Sequence, residues 1–214
     1  MIVVHHLNNS RSQRILWLLE ELGAPYEIKA YQRDPVTKLA PPELKAVHAL
    51  GKSPVITDGE IVVAESGAII DYLVDRFDQG ALKPEPGGPA AADYVHWMHF
   101  AEGSAMLPLM LALYTSLLGE AASPLQPRIE SEIHNHLSYM EDRLKAHPYF
   151  AGERFTAADV QMSFVGEVAS VRGWLTTYPA LTAYLQKIQA RPAYRRAIEK
   201  GGAYAFGPSG DGAL

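Results

Sequence analysis

The chain has 214 residues, 48% of them apolar and 20% charged, a balance that can bury a sizeable core and lies outside disordered or fibrous compositions. A formal net charge of -5 argues against a non-specific nucleic-acid surface, which needs clustered Lys and Arg, and the absence of cysteine removes disulfides, thiolate metal sites and a cysteine nucleophile together. The length favours two compact lobes. Ile2 to His6 is a short β-branched run that reads as a buried strand. Ile15, Leu16, Leu18, Leu19 and Leu22 then give one wide apolar helical face, stopped by Gly23. Tyr26 to Tyr31 reads as a second strand, and its order after strand and helix predicts a right-handed βαβ unit with parallel strands.

After a Pro-rich connection and a short turn at Glu43 to Val47, Pro54 to Thr57 and Glu60 to Val63 form two strands around Asp58-Gly59, the signature of a type I′ hairpin. A helix follows from Ser66 to Phe77. The order βαβ, short helix, ββα describes a small α/β domain of thioredoxin-like layout over residues 1-79. Residues 80-89 form the linker, within a stretch from Gln79 to Pro89 that holds three prolines and three glycines.

Residues 90-214 read as an all-helical bundle. Ala90 to Leu118 is a long helical pattern with a kink expected at Pro108, and Ile129, Ile133, Leu137, Met140 and Leu144 line one face of the next helix. Further helices are expected at Ala157 to Val171, Leu181 to Gln189 and Ala193 to Lys200, followed by a loosely held Gly-rich tail. The N-terminus lacks the basic region and long apolar core of a signal peptide, and the longest apolar stretch, Ala105 to Leu118, is 14 residues, short of a bilayer. A cytoplasmic protein with no membrane span is expected.

Three segments carry chemistry. Asn9 to Arg14 lies where the first strand meets its helix, and the unpaired N–H groups of a helix start favour an anion there. A hydroxyl at that junction suits a bound thiolate, while Ser10 with Gln13 equally fits a capping box, S-x-x-Q, which requires no ligand. Ser53-Pro54 suits a cis bond that turns the chain and leaves the Ser53 main chain to pair with a peptide-like ligand; a trans proline opening an edge strand is the ordinary alternative. Glu65-Ser66 at the next helix start suits a zwitterionic α-amino acid, with Glu65 taking the ammonium and Ser66 with the helix amides the carboxylate, although Glu-Ser is also a common helix start. His96 and His99 lie three apart with no acidic or third histidine partner, so no metal site is expected.

Together these segments resemble the glutathione transferase family over nearly the whole chain. Ser10 to Arg14 running into Trp17 to Leu22 is similar to its first helix, Leu50 to Pro54 to its cis-proline loop and Ala64 to Ile69 to its γ-glutamyl site, while Phe155 to Asp159 resembles its capping box with a staple of Phe155 on Val160. The spacing of Ser10 and Arg14 resembles the serine-type enzymes, of bacterial and fungal kind. The resemblance implies that Ser10 activates the glutathione thiol, with Asn9 and Ser12 as rivals for that contact. It places Lys52 near the glycyl end, the Ser53 main chain beside Pro54 on the cysteinyl part, and Glu65 and Ser66 on the γ-glutamyl group. Met98, Glu102, Met106, Met110 and Tyr114 follow an i, i+4 pattern and are candidates for a pocket that takes the second substrate between the lobes, or are simply bundle core. The implied activity is conjugation of the glutathione thiolate to small hydrophobic electrophiles, with organic-peroxide reduction open to the same thiolate. The implied enzyme is a homodimer that needs no cofactor beyond glutathione as co-substrate; the alternative is a non-catalytic binding or interaction module of the same fold.

Overall fold

In a computed structural model that describes residues 1–210 and 212, the β-branched start forms β1 (Ile2–Leu7), followed by α1 (Ser12–Leu22) and β2 (Tyr26–Tyr31). Gly23 ends α1 in the left-handed conformation at φ 62, which costs a residue without Cβ little. A single 3-10 turn, Pro42–Ala46, precedes β3 (Val55–Asp58), β4 (Ile61–Ala64) and α2 (Ser66–Phe77). The sheet order is β2-β1-β3-β4, with β1 parallel to β2 and antiparallel to β3, and β3 antiparallel to β4. This is the expected thioredoxin-like arrangement.

The hairpin differs in one respect. Asp58 and Ile61 are a ladder pair, so the two-residue turn is Gly59-Glu60, with a positive φ of 62 at Gly59 alone, the pattern of a turn with glycine at its first central position. Asp58 stays in the strand because its carboxylate is anchored there. It accepts hydrogen bonds from the Met1 ammonium at 3.2 Å and the Tyr72 hydroxyl at 2.9 Å, and pairs with Arg76 at 3.1 Å.

The helical elements are α3 (Pro89–Phe100), a π-helical segment (Ala101–Ala105), α4 (Met106–Thr115), a 3-10 segment (Ser116–Ala122), α5 (Gln126–Ala146), α6 (Ala157–Val171), α7 (Pro179–Gln189) and α8 (Pro192–Gly201). The distortion expected at Pro108 lies one turn earlier, as the π segment. A proline lacks the N–H for the carbonyl four residues back, here Ser104, and its ring crowds that carbonyl; the wider turn falls where the crowding would occur. The run Pro89–Ala122 is 34 residues long and apolar enough to cross a membrane by length and composition, longer than the stretch the sequence suggested. Its Tyr94, Trp97, Met98, Ala101, Ala105, Met106 and Leu109 are buried where α3 packs on α6 and α4 on α5, while Val95, Leu107, Leu111, Tyr114, Leu117 and Leu118 are exposed.

By packing the chain divides into two compact units: Met1–Lys83 together with the chain from Lys187 onward, and Pro84–Gln186. In the first unit α8 lies along α1. Arg191 grips the Glu21 carboxylate through two bonds of 2.6 and 2.8 Å, Arg196 reaches Glu20 at 2.7 Å, Lys200 also pairs with Glu20, and the Trp17 and Tyr194 rings meet edge-on at 5.3 Å. The division by sequence order therefore differs from the division by packing for the last helix. Nor is the start of the tail loose: Tyr204 and Phe206 are buried, and the Ala205 N–H donates to the Asn9 side-chain oxygen at 2.8 Å. The remainder of the loose-tail expectation, at residues 211, 213 and 214, lies outside the described residues.

In the second unit the expected capping box at the start of α6 is present, with Thr156 and Asp159 exchanging bonds and Phe155 and Val160 both buried. Glu141, also buried, accepts the first free N–H groups of α7, from Ala180 at 3.1 Å and Leu181 at 2.8 Å.

Candidate functional site

The register of the sheet decides where the chemical residues of the first unit fall. His5 pairs with Val55, Val55 with Ala64, and Leu7 with Tyr31. The C-terminal end of β1, the N-terminal end of β3 and the C-terminal end of β4 therefore share one edge of the sheet. Ser10, the Lys52-Ser53-Pro54 turn and Glu65-Ser66 all lie just beyond it. Segments more than fifty residues apart in sequence are brought to one end of one small sheet.

Leu7 joins two of them. Its N–H donates to the Ser53 hydroxyl oxygen at 3.3 Å, while its carbonyl accepts from Ser10 at 2.8 Å. The Ser53 hydroxyl in turn donates to the His5 carbonyl at 2.8 Å, so a side chain extends the β1–β3 ladder past its last pair. The Ser53–Pro54 bond is cis, and Lys52 is exposed. Glu65 precedes α2 with φ 70 and ψ 126, a conformation that costs a residue with a Cβ about 1–3 kcal/mol and persists where the surroundings enforce it. Its side chain is exposed, and Ser66 is buried at the helix start.

Around Ser10 the capping-box alternative does not form. Gln13 is buried and neither end of its carboxamide has a hydrogen-bond partner among the described residues, so it does not reach back to Ser10. The Ser10 hydroxyl instead accepts from the Ser12 N–H at 3.2 Å and lies 2.8 Å from the Ser12 hydroxyl. The rivals are otherwise engaged: Asn9, at φ 49, accepts from the tail, and Ser12 is wholly enclosed at 0% exposure against 4% for Ser10. Arg33, which the sequence did not single out, braces the loop. Its guanidinium donates to the carbonyls of Asn8 and Asn9 at 3.2 Å each and of Lys38 at 3.0 Å, and burial together with the Arg11 charge lowers its pKa. Arg11 and Arg33 bring positive charge to this loop, with the exposed side chains of Lys52 and Glu65 supplying one charge of each sign at the same edge.

The i, i+4 row along α3, the π segment and α4 does not stay on one face. Met98 and Met106 are buried, Glu102 and Met110 half-buried, and Tyr114 60% exposed. Steps of four residues drift by about 40° each on an α-helix, which carries the row out of the core. An open groove of ≈ 480 Å³ in the second unit, lined by Leu175, Thr176, Pro179, Thr182, Ala183 and Gln186 among others, includes none of the five. No cluster of metal-ligating side chains occurs among the described residues.

Comparison with known proteins fits this geometry. The model for "Glutathione S-transferase, N-terminal domain" matches residues 1–75, and that for "Glutathione S-transferase, C-terminal domain" matches residues 123–187. Glutathione S-transferase 3 of Schizosaccharomyces pombe is 38% identical over 94% of this chain and 88% of its own length. The chain belongs to the glutathione S-transferase family. A crystal structure of a glutathione S-transferase from Actinobacillus pleuropneumoniae, 37% identical, superposes with a TM-score of 0.86 over 95% of this chain and 94% of that one. A glutathione transferase family member from Pseudomonas fluorescens, solved with two glutathione molecules bound, is 25% identical with a TM-score of 0.75 over 92% of each chain.

The buried histidines of this glutathione S-transferase fold carry a pH prediction. Burial pushes His5 and His6 below 6.5; the Lys29 charge adds to the effect on His5, and the Gly201 carbonyl partly opposes it on His6. The unfolded chain binds these protons more readily, so their contribution is fully present above 6.5 and is lost as pH falls through it toward the folded values. Between about pH 7.5 and about pH 5.5 the urea midpoint is expected to shift downward by more in the parent than in the His5→Gln/His6→Asn variant, the buried Asp159 carboxyl, pushed up to about 6, acting in the opposite sense in both. Equal pH dependence in the variant and the parent contradicts it.

Proposed function

We propose that this chain is an active glutathione transferase in which the Ser10 hydroxyl donates to the glutathione thiolate and so keeps it ionised at neutral pH. The observation that carries the reading is the convergence of Ser10, Ser53 and Glu65-Ser66 beyond one edge of the sheet. A bound tripeptide lies across that edge: glycyl carboxylate toward Lys52, cysteinyl part along the main chain of Ser53 beside Pro54, γ-glutamyl ammonium on Glu65, and its carboxylate on Ser66 and the α2 amides. The relative from Pseudomonas fluorescens that holds glutathione supports this choice of ligand.

A thiol of pKa about 8.5 is mostly protonated at neutral pH, and lowering it by about two units needs roughly 2.7 kcal/mol, within reach of a charge-assisted hydrogen bond at a helix start. The thiolate then attacks an electrophilic carbon. A carbon–sulfur bond forms, the bond to the leaving halide breaks with its electron pair, and the thiol proton has already passed to solvent. Of the row from Met98 to Tyr114, Glu102, Met110 and Tyr114 are the accessible members and are assigned to the second substrate, while Met98 and Met106 stay in the core.

Calorimetric titration with glutathione, paired with turnover of a chloronitrobenzene and an organic hydroperoxide, tests the proposal. Saturable binding with turnover of at least one acceptor is expected. Binding without turnover across a broad electrophile panel makes the chain a binding module, and no binding at all overturns the assignment.

A further inference from the structure

Behind Ser10 lies a buried chain of polar groups that ends on the last helix of the first unit. The Ser10 and Ser12 hydroxyls are 2.8 Å apart, Ser12 Oγ is 2.8 Å from His6 Nδ1, and His6 Nε2 is 3.2 Å from the carbonyl of Gly201. All three side chains are at least 95% buried. Gly201 is held close enough for this because it has no Cβ: one placed there would lie 2.5 Å from Gln13 Oε1 and 2.9 Å from Leu16 Cδ1.

The direction of the hydrogens follows from the far end. A carbonyl can only accept, so Nε2 carries the imidazole proton and Nδ1 presents a lone pair. The Ser12 hydroxyl therefore donates to Nδ1, at 2.8 Å, in preference to the Leu7 carbonyl at 3.3 Å. Ser12 is left as an acceptor toward Ser10. Two of the three hydrogens are thus engaged within the protein. The third, on Ser10, faces only neutral acceptors, the Leu7 carbonyl and Ser12 Oγ, each at 2.8 Å. A charged sulfur is a stronger acceptor than either, because charge-assisted bonds are roughly twice as strong as neutral ones.

We infer that His6 and Ser12 are positioning residues: anchored on the Gly201 carbonyl, they hold Ser12 as an acceptor and so keep the Ser10 hydroxyl as the donor that turns to a bound thiolate. The inference rests on the reading of Ser10 proposed above. It adds two residues that do not touch the tripeptide, and it makes the C-terminal end of α8 part of the support of the site.

The test uses the full chain with Ser12→Ala, His6→Leu, His6→Asn and Ser10→Ala. His6→Asn offers an oxygen in place of the Nδ1 lone pair. Three readouts are needed: kcat and KM with a chloronitrobenzene, calorimetric affinity for glutathione, and the ultraviolet absorbance of the bound thiolate against pH. Ser12→Ala and His6→Leu are expected to lower kcat by about tenfold at neutral pH and to raise the apparent pKa of the bound thiol by about one unit, with glutathione KM little changed. His6→Asn is expected to recover most of the loss. A rise in KM with an unshifted thiol titration, or no recovery in His6→Asn, assigns the residues a structural role only and overturns the inference. Should His6→Leu fail to fold, Ser12→Ala decides by the same readouts. If Ser10→Ala shifts the thiol pKa and Ser12→Ala does not, this inference alone falls; if Ser10→Ala does not shift it, the underlying reading falls as well.

Discussion

Replacing Ser10 with alanine is expected to lower kcat/KM for conjugation by about 10²–10³-fold while leaving glutathione affinity close to that of the parent chain. The asymmetry follows from the separation of roles along the sheet edge. Lys52, the Ser53 main chain, Glu65 and Ser66 are assigned to parts of the tripeptide that do not react, so they contribute to ground-state and transition-state binding alike. In the proposed arrangement the Ser10 hydroxyl faces the sulfur, whose charge develops only on ionisation. Its removal leaves the Ser12 N–H, now 3.2 Å from Ser10 Oγ, as a residual dipole aimed the same way, which sets a floor on the loss. Steady-state kinetics with varied glutathione read this directly. A large rise in KM with kcat preserved would show Ser10 to be a binding residue and not the thiol activator.

The second large effect concerns stability. Asp159 is fully enclosed at the start of α6 and accepts four hydrogen bonds: from the Phe150 N–H at 3.0 Å, the Thr156 N–H at 2.8 Å, the Thr156 hydroxyl at 3.2 Å and the Tyr184 hydroxyl at 3.0 Å. Burial outweighs these donors and pushes its carboxyl up to about 6, so at neutral pH it is an ionised acceptor in a low-dielectric surround. Asp159→Ala leaves the buried Phe150 and Thr156 N–H groups without their carboxylate acceptor and the buried Tyr184 phenol with only the residue 159 carbonyl, now at 3.4 Å. The expected loss is about 3–5 kcal/mol, or roughly 10–15 °C in melting temperature for a chain of this size. Because Asp159 belongs to the second unit and the residues assigned to glutathione belong to the first, glutathione affinity of the folded variant is expected to be retained. Calorimetric melting checks the prediction, and a shift below about 3 °C would mean that the loop from Phe150 to Thr156 is held by other contacts.

Much of the first unit was legible because its signals are local. The β-branched start, the apolar helix closed by Gly23 and the paired strands around Gly59 each announce themselves within a dozen residues. The cis bond at Ser53–Pro54 and the capping box at Thr156 and Asp159 stood in the sequence as short motifs. The turn moved by one residue because Asp58, which local propensity places in a turn, is held in β3 by Met1, Tyr72 and Arg76, none of them within a dozen residues of it.

What was not legible depends on long-range packing. The π segment appears as nothing more than Ala-Glu-Gly-Ser-Ala; only the position of Pro108 hinted at a distortion. The role of His6 is set by a carbonyl 195 residues away, and that of Asn9 by an N–H 196 residues away, so no spacing rule could have found either. The nearest available signal was His6 near the end of β1 followed by Ser10 and Ser12 around the start of α1. The drift of Tyr114 out of the core was foreseeable from helical geometry, since a strict four-residue step does not follow a period of 3.6.

In the proposed arrangement a sulfur anion rests against the oxygen of Ser10 where β1 gives way to α1. A crystal structure of the protein with glutathione measures this most directly. The cysteinyl sulfur is expected within hydrogen-bonding distance of Ser10 Oγ, with the γ-glutamyl group at Glu65 and Ser66. A tripeptide bound with its sulfur turned away from Ser10, or seated elsewhere on the chain, would contradict it.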